Sequence, residues 1–322
     1  MRVLVATDAW RPQVNGVVRS LEQMIAAAPS HGATAQALTP EGFHQIGLPS
    51  YPDIRLALAT RRALAARVAE FAPDHIHIAT EGPIGWLTRA VCLAQKRPFT
   101  TSYHTRFPQY IAARWPIPES WSYGLLRRFH GPAAAVMVST ATVEEELRQH
   151  GFEKLVRWGR GVDLSLFHPR QQSLLDLPRP IFLYVGRVAV EKNVEAFLSL
   201  KLPGSKVVVG DGPARADLER AFPEARFLGV KEGEELAGIY ASSDVFVFPS
   251  LTDTFGIVLL EAAASGLPVA AFPVQGPRDV FAGSGAAVLD EDLRAAANIY
   301  VLCFFSGLLS IRGIPAPGFV QR

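Results

Sequence analysis

The amino-acid sequence predicts an α/β protein made of two successive doubly wound, Rossmann-like domains. Three observations predict it. Short runs of β-branched and aromatic residues alternate with segments of helical spacing, and that order gives parallel sheets with helices on both faces. The alternation breaks at a proline-rich stretch, HPRQQSLLDLPRP at 168–180, and then starts again. Residues 245–266, VFVFPSLTDTFGIVLLEAAASG, read as a buried strand, a polar loop and an apolar helix that stops at Gly266 and Pro268. Such a unit points free amides and the positive end of a helix dipole out of the C-terminal edge of a sheet, where an anion is stabilised.

Taken in order, strands are expected at 2–7, 33–39, 75–80, 99–104 and 135–140, each a short apolar or β-branched run. Helical patterns fall between them at 17–28, 61–71, 84–95, 119–130 and 141–150. Together these form a first domain over 1–168. Residues 169–180, polar and holding three prolines, read as a linker. The second domain, 181–297, has strands expected at 181–186, 206–210, 226–229, 245–249, 268–272 and 286–290, with helices at 193–200, 213–222, 232–241 and 256–265. The remainder, 298–322, is an atypical apolar tail. Residues 298–311 carry no charge and no polar face at helical spacing, and these 14 residues are too few to span a bilayer.

At 322 residues with 49% hydrophobic content the chain has ample material for two cores. Its two cysteines, Cys92 and Cys303, lie in apolar contexts, which argues for a reducing compartment and against a disulfide framework. The chain opens directly on the strand RVLVATD, so no signal peptide is expected, and no apolar run is long enough for a spanning helix. The net charge of +2 hides an asymmetry: residues 1–170 hold 19 Lys and Arg against 13 Asp and Glu, a net +6, and the rest holds 13 against 17, a net −4. A basic half suits an anionic surface, although scattered surface charge is the equally ordinary explanation. The sequence lacks RNP, zinc-finger and helix-turn-helix signatures, which excludes a nucleic-acid partner from the expectations.

Several residues stand where chemistry is done. Asp253 precedes the helix that Gly256 opens and Glu261 lies in its second turn; spacing alone leaves open whether both meet one ligand or merely cap and solvate. Arg187 and Lys192, in YVGRVAVEKN (184–193), sit after a strand, where cations neutralise a leaving diphosphate. Taken alone they read equally as solvated charges. The turn VVVGDGP (207–213) allows close backbone approach at Gly210 but lacks the G-x-G-x-x-G spacing of a dinucleotide site. Asn15-Gly16 is a turn before the first helix, and His104 ends a strand at a ligand-binding edge. His75 and His77 share a strand face without a carboxylate at ligand spacing, so no metal site is expected.

Five stretches carry a resemblance. Ser250 to Pro268, with its two acids separated by seven residues, resembles the paired-acid motif of retaining GT-B glycosyltransferases of family 4. The S-x-T-D-T-F-G form is similar to the subset of GDP-mannose-dependent mannosyltransferases and sulfolipid-type synthases. Residues 186–193 match that family's G-R-x-x-x-E-K-N motif, Tyr103-His104-Thr105 its S/F-H-T motif, Glu81-Gly82-Pro83 its E-G-P turn, and RGVDLSLFHP (160–169) its G-V-D-x-x-x-F element. The resemblance covers residues 1–295. It implies the GT-B fold, two Rossmann-like domains facing a cleft, and transfer of a hexose from a nucleotide-diphospho-sugar to a hydroxyl with retention of configuration.

By that resemblance the catalytic set is His104, Asp253, Arg187 and Lys192. Gly16, Arg187, Lys192, Gly210, Phe255, Gly256, Ile257 and Glu261 hold the donor, with Asp253 on sugar hydroxyls and Glu261 on the ribose diol. Glu81 and Arg106 face the acceptor. The family needs no metal or other cofactor, because the positive charges take a metal's place. The expected partners are the nucleotide-sugar donor, a lipid or glycan acceptor and an anionic membrane surface. The latter is suggested by Arg61-Arg62, Arg114 and Arg127-Arg128 beside Trp115, Trp121, Tyr123, Leu125 and Leu126. The expected location is cytoplasmic and peripheral to the inner face of the membrane. Two rivals are a GT-B protein that binds a nucleotide-sugar without turnover and a GT-B sugar-nucleotide epimerase. A turnover assay separates the first from the enzyme, and the acid and base set that the second requires is not found in the sequence.

Overall fold

The computed structural model describes residues 1–11, 13, 16–48, 51–104, 118–170, 174–253 and 255–306. The chain divides between Gly159 and Arg160 into two compact units.

The first unit is built on a six-stranded parallel sheet. Its strands are β1 (Arg2–Ala6), β2 (Thr34–Leu38), β5 (His75–Ile78), β6 (Thr100–Tyr103), β7 (Ala135–Val138) and β8 (Leu155–Arg157), in the order β2-β1-β5-β6-β7-β8. A separate antiparallel hairpin, β3 (His44–Leu48) and β4 (Tyr51–Leu58), stands between β2 and β5 in the chain. Among the described residues five helices connect the strands: α1 (Gly16–Ala27), α2 (Arg61–Phe71), α3 (Pro83–Ala94), α4 (Glu119–His130) and α5 (Ala141–Gln149). Alternate residues of β1 face opposite cores, because a parallel sheet is covered on both sides. Leu4 and Ala6 pack with Leu64, Ile84 and Phe129 below α2, α3 and α4, while Val5 packs with Leu21 of α1. Side chains of Thr60 and Thr140 cap α2 and α5 by accepting from Ala63 N at 3.2 Å and Val143 N at 3.3 Å.

Buried polar residues in this unit tie strands together. His77 meets Thr100 Oγ1 at 2.9 Å through Nδ1 and Ser102 Oγ at 2.8 Å through Nε2, and His75 also reaches Thr100, at 3.2 Å. The two histidines of one strand face thus brace β5 against β6. Cys92 is buried, and burial pushes its thiol up to about 11, so it is an inert core residue.

The second unit holds strands β9 (Ile181–Val185), β10 (Ser205–Val209), β11 (Arg226–Phe227), β12 (Val245–Phe248), β13 (Val269–Ala271) and β14 (Ala287–Leu289), all parallel, in the order β11-β10-β9-β12-β13-β14. Among the described residues six helices accompany them: α6 (Val194–Leu198), α7 (Arg215–Ala221), α8 (Gly233–Ser242), α9 (Ile257–Ala264), α10 (Gln275–Val280) and α11 (Leu293–Ser306). Two cores flank the sheet, one around Phe246, Leu259 and Tyr240, the other around Phe182, Phe197 and Val247.

Three differences from the sequence reading have physical causes. The chain joins the second unit at Arg160, ahead of the expected 169–180 linker, because Phe167 packs in the second core and Leu175 and Leu177 lie against it. The tail expected from 298 begins inside α11, because that helix is held by Leu293, Ala296, Ala297 and Tyr300, which pack in a core. Within the basic aromatic cluster, Tyr123 and Leu126 are core, whereas Trp121 is 76% and Leu125 56% exposed. Arg114 and Trp115 lie outside the described residues. Among the described residues no helix is long and apolar enough to cross a membrane.

Candidate functional site

In the second sheet the strand order reverses between β9 and β12, since β10 and β11 continue on one side and β13 and β14 on the other. Loops leaving the C-terminal ends of two such strands diverge and leave a crevice for a ligand. The β9 exit runs through Gly186 and Arg187 to a 3₁₀ turn, Val190–Lys192, and then to Asn193, whose backbone is left-handed. The β12 exit runs through Pro249 and Ser250 to Asp253 and reaches α9 at Gly256, also left-handed with φ +82.

Three contacts lace these two exits together. Lys192 Nζ donates to Asp253 Oδ1, Asn193 Nδ2 donates to the Pro249 carbonyl at 3.1 Å, and Thr252 Oγ1 donates to the Glu191 carbonyl at 3.4 Å. Lys192 and Asp253 are each about one-fifth exposed, so their pair is reachable from solvent yet shielded enough to strengthen it. Arg187 lies 3.9 Å from Glu191, and the Tyr184 hydroxyl donates to the Arg187 carbonyl at 2.8 Å, which fixes the backbone that carries the guanidinium. Burial, followed by the charges of Asp253 and Glu191, holds that phenol well above its usual range, so Tyr184 remains a hydrogen-bond donor. The β10 exit closes the third side: a Cβ on Gly210 would stand 1.9 Å from the Gly186 carbonyl oxygen, so only glycine lets the two turns touch.

Glu261 sits apart from the ion pairs. It is 2% exposed, and the Tyr240 hydroxyl of α8 donates to its Oε2 at 2.9 Å. Phe255, Gly256 and Ile257 stand at the start of α9, next to Asp253. The start of α10 lies against the same loop, because a Cβ on Gly276 would be 3.0 Å from the Asp253 carbonyl oxygen.

In the first unit the order reverses between β1 and β5. Gly16 opens α1 after the β1 exit and is exposed. Glu81 follows β5, but its carboxylate is turned inward: it lies 3.2 Å from Nε2 of His130, the last residue of α4, with both side chains buried. His104 directly follows β6, buried, with its ring 6.2 Å from that of Trp158. Arg106 lies outside the described residues. Arg160 is largely buried, which lowers its guanidinium to about 10, and Asp163 accepts from the Ser165 amide and hydroxyl and the Leu166 amide, bracing its own turn.

The structure therefore brings Lys192 together with Asp253 and Arg187 with Glu191, and places Glu261 against Tyr240. Sequence reasoning missed Tyr184, Asn193, Thr252 and Tyr240. Tyr184 and Asn193 stood inside the motif already singled out, yet a hydrogen bond from a core tyrosine to a loop carbonyl leaves no mark on spacing. Among the described residues no group of three or more His, Cys, Asp or Glu is arranged to hold a metal ion.

Residues 179–302 match the family described as Glycosyl transferases group 1, and residues 14–166 match Glycosyltransferase Family 4. The chain is 33% identical over 311 residues to a GDP-mannose-dependent alpha-mannosyltransferase of Mycobacterium tuberculosis, covering 87% of this chain and 81% of the relative. It is 35% identical over 258 residues to a sulfoquinovosyl transferase of Arabidopsis thaliana, covering 74% of this chain and half the length of the plant protein. It is 28% identical over 313 residues to an alpha-monoglucosyldiacylglycerol synthase of Streptococcus pneumoniae, covering 84% of this chain and 71% of the relative. The fold is similar to that of a sucrose-phosphate synthase from Thermosynechococcus elongatus (TM-score 0.76, 21% identity, 95% of this chain and 90% of that one). It is also similar to that of Anabaena HepE in complex with UDP-glucose (TM-score 0.71, 14% identity, 97% and 92%).

Proposed function

The chain belongs to glycosyltransferase family 4, a family of GT-B glycosyltransferases, and from that premise we propose a retaining hexosyltransferase that uses a nucleotide-diphospho-sugar donor and a lipid or lipid-linked acceptor. The observation that carries the reading is the laced pair of loops at the β9–β12 switch point. It sets two cations, Arg187 and Lys192, and the carboxylate of Asp253 beside the start of α9.

In this reading Arg187 and Lys192 receive the diphosphate and stabilise it as the bond to the sugar breaks. Amides of Phe255, Gly256 and Ile257 at the helix start add to that field. Asp253 orients sugar hydroxyls from beside Lys192, and Glu261 holds the ribose diol with its carboxylate anchored by Tyr240. By resemblance to the family, Gly16 and His104 are assigned to the donor and Glu81 and Arg106 to the acceptor. The acceptor hydroxyl attacks the anomeric carbon on the face from which the diphosphate departs. A departing phosphate oxygen takes the hydroxyl proton, so the step needs no separate carboxylate base.

A lipid acceptor is supported by the relatives named for mannosyl, sulfoquinovosyl and glucosyldiacylglycerol transfer. The surface of α4 adds a local reason, since it exposes Trp121 and Leu125 beside Arg127 and Arg128. The proposal includes a cytoplasmic protein held peripherally at an anionic leaflet. It also includes metal independence, because the cations and the helix start provide the compensating charge; activity abolished by EDTA and restored by magnesium or manganese would contradict this. The main test is a donor screen with radiolabelled GDP-mannose, UDP-glucose, UDP-glucuronate and UDP-sulfoquinovose, each with membrane lipid as acceptor. Label is expected in the lipid fraction from one of these donors. Absence of transfer from all of them, in a chain that binds nucleoside diphosphate, would favour a binding protein without turnover.

A further inference from the structure

Helix α3 is capped in an unusual way. Its N-cap is Gly82, which has no side chain to offer, and Pro83 at its first position has no amide hydrogen. The next two amides are taken by a residue from another strand's exit. Asp8, just past β1, accepts from Ile84 N at 2.8 Å through Oδ1 and from Gly85 N at 3.2 Å through Oδ2. Its Oδ2 also accepts from the Thr80 hydroxyl at 2.9 Å, and Thr80 Oγ1 in return accepts the Asp8 amide at 2.7 Å. A Cβ at position 82 would lie 2.4 Å from the Asp8 Cγ, so the glycine of the E-G-P turn is there to admit this carboxylate.

These four bonds join the exits of β1 and β5, the two neighbours between which the strand order of the first sheet reverses. Glu81 lies between Thr80 and Gly82, so its inward direction toward His130 is fixed from both sides. A helix cap alone would be met by a serine or aspartate at position 82 itself. Recruiting Asp8 from the β1 exit instead makes the cap hold two loops at once.

We propose that Asp8 is a positioning residue: its carboxylate locks the β1 exit, which leads to Gly16, to the Glu81 turn, and holds the two in register during transfer. The consequence for turnover rests on the glycosyltransferase reading above; the lock itself does not.

The test compares the full chain with Asp8→Asn, whose amide cannot accept at both oxygens. Hydrogen exchange is followed in segments 7–11 and 81–86, together with kcat, the KM for the donor established by the screen and calorimetric affinity for GDP and UDP. Exchange is expected to rise about fivefold in both segments, the scale of a lost cap. In the same variant kcat is expected to fall about tenfold or more, the scale of a displaced loop, with donor KM and nucleotide affinity within about twofold. Exchange rising in 81–86 alone would reduce Asp8 to a helix cap and overturn the proposal. So would unchanged kcat in a folded variant. Should Asp8→Asn fail to fold, Thr80→Val removes the hydroxyl link while leaving the carboxylate on α3. Faster exchange in segment 7–11 is then expected, and its absence overturns the lock. A wild-type chain that transfers no sugar would sink the functional reading instead, and the exchange result would still decide the lock.

Discussion

Lys192 and Asp253 are partners before they are ligand contacts. Each neutralises the other, so neither side chain swings freely, and in the proposed reading a diphosphate at Lys192 would meet a cation already aimed by its carboxylate. Arg187 is placed differently, through its own backbone, which the Tyr184 hydroxyl holds at 2.8 Å. Both devices cost little when a donor binds, because the ordering is done in the folded chain. Lys192→Ala is therefore expected to lower turnover about a hundredfold, the scale of one lost charged contact to a leaving group. Glu261→Ala is expected to lower it on a similar scale, about a hundredfold. Rates close to wild type for either variant, measured with the donor found by the screen, would remove that residue from its assigned role.

The strands that the sequence displayed best are those buried on both faces. VFVFP, IFLYV and VVV (207–209) are continuous apolar runs because helices cover both sides of each parallel sheet. The hairpin at 44–58 escaped notice because HQIGL and YPDIRLAL mix charge, proline and glycine into a ribbon paired only with itself. The two loops proposed to hold the donor were legible as motifs, since the residues of each lie close together in the chain. Glu81 against His130, Asp8 against α3 and Tyr240 against Glu261 were not, because each joins elements far apart in sequence through one or two side-chain hydrogen bonds or an ion pair. The β5–β6 brace is of the same kind, and it makes stability depend on pH. Burial first, then the neighbouring His75, lowers the His77 ring to about 4. An unfolded histidine protonates near about 6.5. Between those values the unfolded chain binds the extra proton, so the contribution of neutral His77 is complete above about pH 6.5 and is lost as pH falls toward about 4. The size is about 3 kcal/mol. Urea unfolding at pH 7 and pH 4.5 should show that loss, and His77→Gln should flatten it. An equally steep pH dependence in the variant would assign the effect elsewhere.

At the scale of the whole molecule, the half of the chain with net positive charge also exposes an aromatic and a leucine on α4. Residues 1–170 carry a net +6 and the remainder a net −4. On α4, Trp121, Leu125 and Arg128 recur at four- and three-residue steps, so they form one stripe on the outer face, while Tyr123, Leu126 and Phe129 hold the inner face in the core. On the proposed membrane reading, an aromatic and a leucine at the headgroup boundary, beside arginines contributing about 1 kcal/mol each near an anionic surface, would give binding that is reversible and salt-sensitive. Because α11 runs through Tyr300, which packs in the second core, removing the chain beyond 297 would cut a helix and confuse the result. Point variants in the full chain keep the folded cores intact. The full chain is expected to sediment with vesicles containing phosphatidylglycerol at low salt and to be released at high salt. Trp121→Ala with Leu125→Ala should weaken sedimentation severalfold and leave transfer to a short-chain, water-soluble acceptor unchanged. A full chain that stays in the supernatant at low salt would defeat the membrane proposal and make a soluble sugar acceptor the better candidate. Retained sedimentation in the double variant would move the contact away from α4.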